Sequence, residues 1–172
     1  MAVKRTPGPG AAVLQKALSG LKDTKGKVGW FPSAQYQGYQ PKTPDGKTGA
    51  PMPVAAIAIQ NEYGNPALGI PARPFMRPTI AEKMQEWKQK FKSGAKAILA
   101  GNISSREVME AVLLLVAGNI RRSITKVQSP PLKQATIDAR LRKKADGKTI
   151  GNLTKPLVEE KIMINTISHE IE

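Results

Sequence analysis

The stretch Ser104-Ser105-Arg106-Glu107-Val108-Met109-Glu110-Ala111-Val112-Leu113-Leu114-Leu115-Val116-Ala117-Gly118-Asn119-Ile120 decides the fold. Ser104 and Glu107 set a hydroxyl and a carboxylate three residues apart, the spacing with which a helix start satisfies its own orphan amides. Behind them Val108, Val112, Leu115 and Asn119, with Met109, Leu113, Val116, Ile120 and Ile124, recur at helical spacing. This is the most hydrophobic helix the chain offers, and it is expected to be the central core element. Upstream, Thr79 and Glu82 repeat the capping spacing, and Ile80, Met84, Trp87, Phe91, Ala95 and Ile98 predict a long amphipathic helix that Gly101-Asn102 ends.

Shorter elements follow on either side. Val13, Leu14, Ala17, Leu18 and Leu21 predict a helix over 11–21, and Ile137 and Leu141 another over 135–144. Val28-Gly29-Trp30-Phe31 is β-prone and is stopped by Pro32. The apolar run 53–64 is short enough to be a buried strand or a helix, and its alanines and the stop at Gly64 favour the helix. Pro66, Pro71, Pro74 and Pro78 impose an extended, stiff path on 65–78. Ile162, Ile164, Ile167 and Ile171, among other branched residues, favour a C-terminal strand with a shift of register midway. The fold class expected is α+β, two or three core helices packed on a small, mostly antiparallel sheet. One domain is expected over 11–172, with a flexible N-terminal arm at 1–10, a loop insertion at 33–53 and a mobile loop at 145–154.

Composition narrows the chemistry. The chain of 172 residues has no cysteine, which removes disulfides, thiolate metal sites and cysteine nucleophiles. Its single histidine, His169, has no nucleophile and orienting group marked out for it and reads as an ordinary strand residue. The acids are scattered, and Glu159-Glu160 point in different directions on a helix or a strand, so no metal site is expected. Thr6-Pro7-Gly8-Pro9-Gly10 follows no strand and lacks a spaced lysine, so it matches no phosphate-cradling loop. The expectation is a non-enzyme without cofactor. No apolar run approaches a membrane span, and the N-terminus does not read as a signal peptide, so folding in a cytoplasm is the default.

The formal charge of +14 is large for this length and calls for acidic partners, nucleic acid or a solubility role. One basic segment runs from Arg73 to Lys96. A second includes Arg121, Arg122, Arg140, Arg142, Lys143 and Lys144, the candidate contacts for DNA or an acidic partner. No base-reading module accompanies them, and the aromatics are not interleaved with the basic residues as in single-strand binders.

At Asn61-Glu62-Tyr63-Gly64, and again at Ile70-Pro71-Ala72-Arg73-Pro74-Phe75-Met76-Arg77-Pro78, the sequence resembles the tail-completion, neck and virion-morphogenesis proteins of tailed bacteriophages. In that family an apolar stretch ends in an acidic-aromatic-glycine turn, and a proline-arginine-proline-phenylalanine segment leads into a long helix. The likeness continues at Ser129-Pro130-Pro131-Leu132, Ala135-Thr136-Ile137 and Lys155-Pro156-Leu157-Val158, and so covers roughly Val54 to the C-terminus. Where relatives commonly follow with an Asp-Thr-Gly turn, this chain has Glu159-Glu160-Lys161.

The resemblance implies a structural virion protein of the phage neck or tail end, a homo-oligomeric ring of six that completes the tail and joins it to the head. Its implied neighbours are other neck, tail-terminator, tube or sheath proteins, with nonspecific contact to passing DNA and no membrane. The alternative is a basic DNA-binding accessory in packaging or passage. The interface or structural motif falls on Glu62, Tyr63, Gly64, Pro71, Arg73, Pro74 and Phe75. Independently of the family, Gly64 suits a turn with positive φ, Phe75 suits a core anchor, and Arg73 is expected to pair with Glu62 or with an acid on an adjacent subunit.

Overall fold

Ser104 caps as its spacing requires. Its hydroxyl accepts from the Glu107 N–H at 3.3 Å, and the Glu107 carboxylate accepts from the Ser104 N–H at 2.8 Å. The Ser104 hydroxyl, which also donates to that carboxylate at 2.6 Å, and then the Ser104 N–H draw the Glu107 carboxyl below its ordinary pKa. The long core helix that follows is α4 (Ser105–Lys126).

The computed structural model describes residues 9–36, 51–148, 150–159 and 161–172. Of the expected arm at 1–10, residues 1–8 lie outside the described residues, as do 37–50 of the insertion. In chain order the elements are α1 (Pro9–Asp23), β1 (Gly26–Gly29), β2 (Gln35–Tyr36), β3 (Met52–Pro53) and α2 (Val54–Tyr63). A 3-10 turn (Pro66–Leu68) precedes α3 (Met76–Leu99) and α4, and α5 (Gln134–Ala145), α6 (Ile162–Thr166) and β4 (Ser168–Ile171) complete the chain. The class is α+β. Instead of one sheet the described strands form two, β1 with β4 and β2 with β3. The second pair is antiparallel, Gln35 facing Pro53 and Tyr36 facing Met52.

The chain groups into two compact units, with divisions inside α3 and α4. The first holds residues 9–28, Lys83–Val116 and His169–Glu172. Trp87, Ile98, Val108 and Leu113 are its buried apolar residues. The two long helices approach closely at Gly94, where an added Cβ would stand 2.3 Å from Val108 Cγ1. Lys25 and Glu172 exchange backbone hydrogen bonds of 3.0 and 2.9 Å beside the β1–β4 ladder. His169, in β4, has its Nε2 3.7 Å from a Glu110 carboxylate oxygen.

The second unit holds Gly29–Glu82 and Ala117–Ser168. Its centre is Phe75, Val54, Ile124 and Ile167, the largest fully buried side chains. Trp30 meets Phe75 edge-on at 5.8 Å between ring centroids and donates its indole N–H to the Met163 carbonyl at 2.9 Å. That arrangement packs the half-buried ring while satisfying its one polar atom. Arg121 reaches from α4 to the Ile164 and Ile167 carbonyls at 3.1 and 2.7 Å, closing the end of α6.

Two expectations are corrected here. Thr79 does not start its helix: α3 begins at Met76, and the buried Thr79 hydroxyl donates back to the Phe75 carbonyl at 2.6 Å. Pro78 therefore lies inside the first turn, where a residue without an N–H costs no helical bond. The C-terminal branched run is not one strand. Its first half is α6, entered through Lys161 at φ 55, and the strand is confined to Ser168–Ile171. Its apolar residues divide between the two because the turn of helix places Met163 in the core, where it is 2% exposed.

Candidate functional site

The site is built where α2 ends. Gly64 turns the chain at φ 78, and an added Cβ would stand 2.7 Å from the Ala72 backbone nitrogen, so glycine is required by both conformation and space. Asn65 and Ile70 then close a tight loop through bonds of 2.8 and 2.9 Å. The Arg73 N–H donates to the Asn61 carbonyl at 2.7 Å, which lays the following residues across the end of α2.

Glu62 is thereby placed at the first turn of α3. One carboxylate oxygen accepts from the Phe75 and Met76 N–H groups at 2.8 and 2.9 Å. The other accepts from the Arg77 N–H at 3.0 Å and from Arg77 Nε at 2.9 Å. A helix start leaves four N–H positions without intrahelical acceptors. Here three of them reach Glu62, and the fourth is Pro78, which has no N–H to satisfy. The carboxylate also sits at the positive end of the helix dipole. Burial pushes the Glu62 carboxyl up, but the amides of Met76, Phe75 and Arg77 and the Arg77 side chain outweigh it, and the net pKa is lowered. Arg77 finishes the clasp by donating to the Glu62 carbonyl at 3.0 Å and lying 4.5 Å over the Tyr63 ring.

The expected pairing of Arg73 with Glu62 is thus corrected: Arg77 is the partner. Arg73 is 6% exposed and donates from Nε to the Pro130 carbonyl at 2.8 Å and from Nη2 to the Pro131 carbonyl at 3.0 Å. Its place in the chain, before the α3 start, points its guanidinium to the 130–131 segment instead of along the helix. Pro71 and Pro74 stiffen the approach, and Phe75 is the core anchor expected of it, 1% exposed.

Beside the clasp lies an open groove of about 510 Å³, lined by Trp30, Ala55, Ile59, Tyr63, Met76 and Ile80 among others. Ile59 and Tyr63 are 60% and 61% exposed, a large apolar area for neighbouring positions on one short helix.

The basic candidates separate into two kinds. Arg121 and Arg140 serve the fold. Arg140, 5% exposed, donates from Nη1 to the carbonyls of Asn152, Leu153 and Lys155 and from Nε to Glu159 at 3.2 Å. It gathers part of the expected mobile loop, in which Asn152 also accepts from the Thr154 and Lys155 N–H groups. Arg140 is thus corrected as a surface contact, and Arg121, half-buried, already spends its guanidinium on the Ile164 and Ile167 carbonyls. Lys143 is half-buried and bonded to Glu159 at 2.7 Å. Arg122, Arg142 and Lys144 are exposed.

Arg77 and Trp30 were not singled out as functional from the sequence. The signal for Arg77 was its position two residues into the helix that Glu62 caps, which is visible only once α3 is known to begin at Met76. Among the described residues, no three His, Cys, Asp or Glu side chains gather as a metal site would need, and no helix is long and apolar enough to cross a membrane. Compared with protein families, curated proteins and solved structures, the chain matches none.

Proposed function

We propose that this chain is a structural subunit of a tailed-phage particle, a non-enzymatic neck or tail-completion protein whose ring of six completes the tail and joins it to the head. The observation that carries the reading is that the residues of the resemblance work as one device. Glu62 caps α3, Gly64 makes the turn, Pro74 and Phe75 lead in and anchor, and the exposed groove with Ile59 and Tyr63 lies beside them. A ring subunit needs such a part: an apolar surface held in fixed geometry, so that little ordering cost falls on association. A ring also uses two different surfaces on each subunit, so a groove open in the single chain is what a heterologous contact requires.

The test is to locate the protein in purified particles by electron microscopy with an antibody against the chain. Labelling at the head–tail junction, with six-fold density there, is the expected result. Particles that lack the protein would sink the proposal. A second reading, a basic accessory that contacts DNA, is favoured by the exposed Arg122, Arg142 and Lys144. Salt-dependent DNA binding by the isolated chain without any ring would put it first.

A further inference from the structure

A second cavity, of about 220 Å³, opens within the same unit near α2, α5 and the start of α6. Three cations line it, Arg73, Arg140 and Lys161, against one carboxylate, Glu159. That carboxylate is already shared, Oε2 with Arg140 Nε at 3.2 Å and Oε1 with Lys143 Nζ at 2.7 Å. Among the described residues, two guanidinium groups are therefore buried beside a cavity whose one carboxylate is already shared. Burial, and then the like charge of Arg140, lowers the Arg73 pKa.

The hydrogen bonds are incomplete in the same place. A guanidinium has five N–H donors. Arg73 uses Nε and Nη2, and Arg140 uses Nε and Nη1. Nη1 of Arg73 and Nη2 of Arg140 make no hydrogen bond among the described residues, and neither is sealed off as Trp87 Nε1 and Asn119 Nδ2 are. Both therefore remain open to an acceptor that enters the cavity. The rest of the lining is largely apolar, including Ile57, Leu132, Leu157 and Met163.

We infer that this cavity binds a carboxylate carried on a short apolar stem. The planar guanidinium fork matches a carboxylate in shape as well as charge. The aliphatic walls suit the stem. The volume is below the range of roughly 300–1,000 Å³ typical of drug-sized ligands, so the occupant is small. It is either a free short-chain carboxylate or the side chain of a glutamate presented by another polypeptide. The inference is independent of the ring reading and survives its failure.

The experiment titrates the full chain with butyrate, with glutamate blocked at both backbone ends, and with chloride at matched ionic strength. The arginine Nε–H signals are followed by nuclear magnetic resonance. Saturable shifts at Arg73 and Arg140 with either carboxylate, and none with chloride, are expected, and the tighter of the two identifies the source. Lys161→Met removes one cation whose side chain makes no hydrogen bond among the described residues, so the fold stays intact. Binding should weaken about tenfold, the loss of one charge-assisted contact. Arg73→Lys, which keeps the charge and loses the fork, should weaken it by a similar factor. Chloride reproducing the shifts, failure of both carboxylates to bind, or unchanged affinity in Lys161→Met with folding verified would each overturn the inference.

Discussion

Replacing Glu62 by glutamine keeps size and shape while removing the charge on which the start of α3 depends. A carboxylate offers acceptors on both oxygens; an amide offers one acceptor and one donor group. The amide's better orientation keeps its oxygen on the Phe75 and Met76 N–H groups and turns its NH₂ toward Arg77, where the backbone N–H and Nε are both donors. Two bonds are lost and the two that remain become neutral. Bonds to a charged group contribute about 1.5–3 kcal/mol and neutral ones about 1 kcal/mol. The Arg77 side chain is 55% exposed, so its share is largely screened and is discounted. The expected loss is about 3 kcal/mol or more, a large part of an ordinary domain's stability.

Urea unfolding followed by far-ultraviolet circular dichroism measures it, and pH supplies a second reading. The folded Glu62 pKa is lowered, so its contribution is fully present above the unfolded carboxyl value of about 4.3 and is lost as pH falls through the folded value. The gap between wild type and Glu62→Gln should therefore be complete at neutral pH and close on acidification below about pH 4. A gap under about 0.5 kcal/mol at neutral pH, within ordinary surface variation, would refute the account. So would a gap that does not change with acid.

Gly64→Ala should destabilise by about 2–3 kcal/mol in the same assay, since alanine must adopt φ 78 and its Cβ meets the Ala72 backbone, which cannot give way as a side chain does. Gly94→Ala gains about 1 kcal/mol of helix propensity but drives a methyl into the branched Val108, and the net should be a loss of about 1–2 kcal/mol. Adding Val108→Ala should reduce that loss, and a double mutant no better than the sum of its parts would remove the steric explanation. If DNA is contacted through the exposed Arg122, Arg142 and Lys144, the logarithm of affinity should fall against the logarithm of salt with a slope of about −2.7, whereas all six basic candidates would give about −5.4. Electrophoretic mobility at several salt concentrations distinguishes the two.

The helices were legible because their signals are local. Ser104 and Glu107 bond as their spacing demands, and the apolar positions of α4 run unbroken behind them. Thr79 and Glu82 carry the same pair of residues, yet the helix starts earlier, at Met76. The difference is a competitor remote in sequence. Glu62 supplies the cap from another helix, which lets α3 extend back through Pro78 to Met76, and Thr79 is left inside the first turn. A capping box read from one strand of sequence cannot register an acceptor thirteen positions upstream. The C-terminal run failed for a related reason. Branched residues suit a strand locally, but Trp30 and Arg121 draw the carbonyls of Met163, Ile164 and Ile167 into bonds that the short helix α6 presents and a straight strand would direct elsewhere.

The charges show most sharply what such reasoning lacks. Arg140, Arg142, Lys143 and Lys144 are neighbours in sequence, and a count treats them as one basic patch. On α5 they diverge, because a helix turns about 100° per residue. Arg140 points inward to three carbonyls and Glu159, Lys143 follows three positions on and shares the same carboxylate, and Arg142 and Lys144 are exposed. Half of the cluster is thus consumed in closing the 152–159 segment, and Arg121 is consumed at α6 in the same way. An arginine buried among carbonyls satisfies several acceptors from one planar head, which a lysine does not match. The basic character of this chain is therefore partly a structural material, and the share left for partners is smaller than its formal charge suggests.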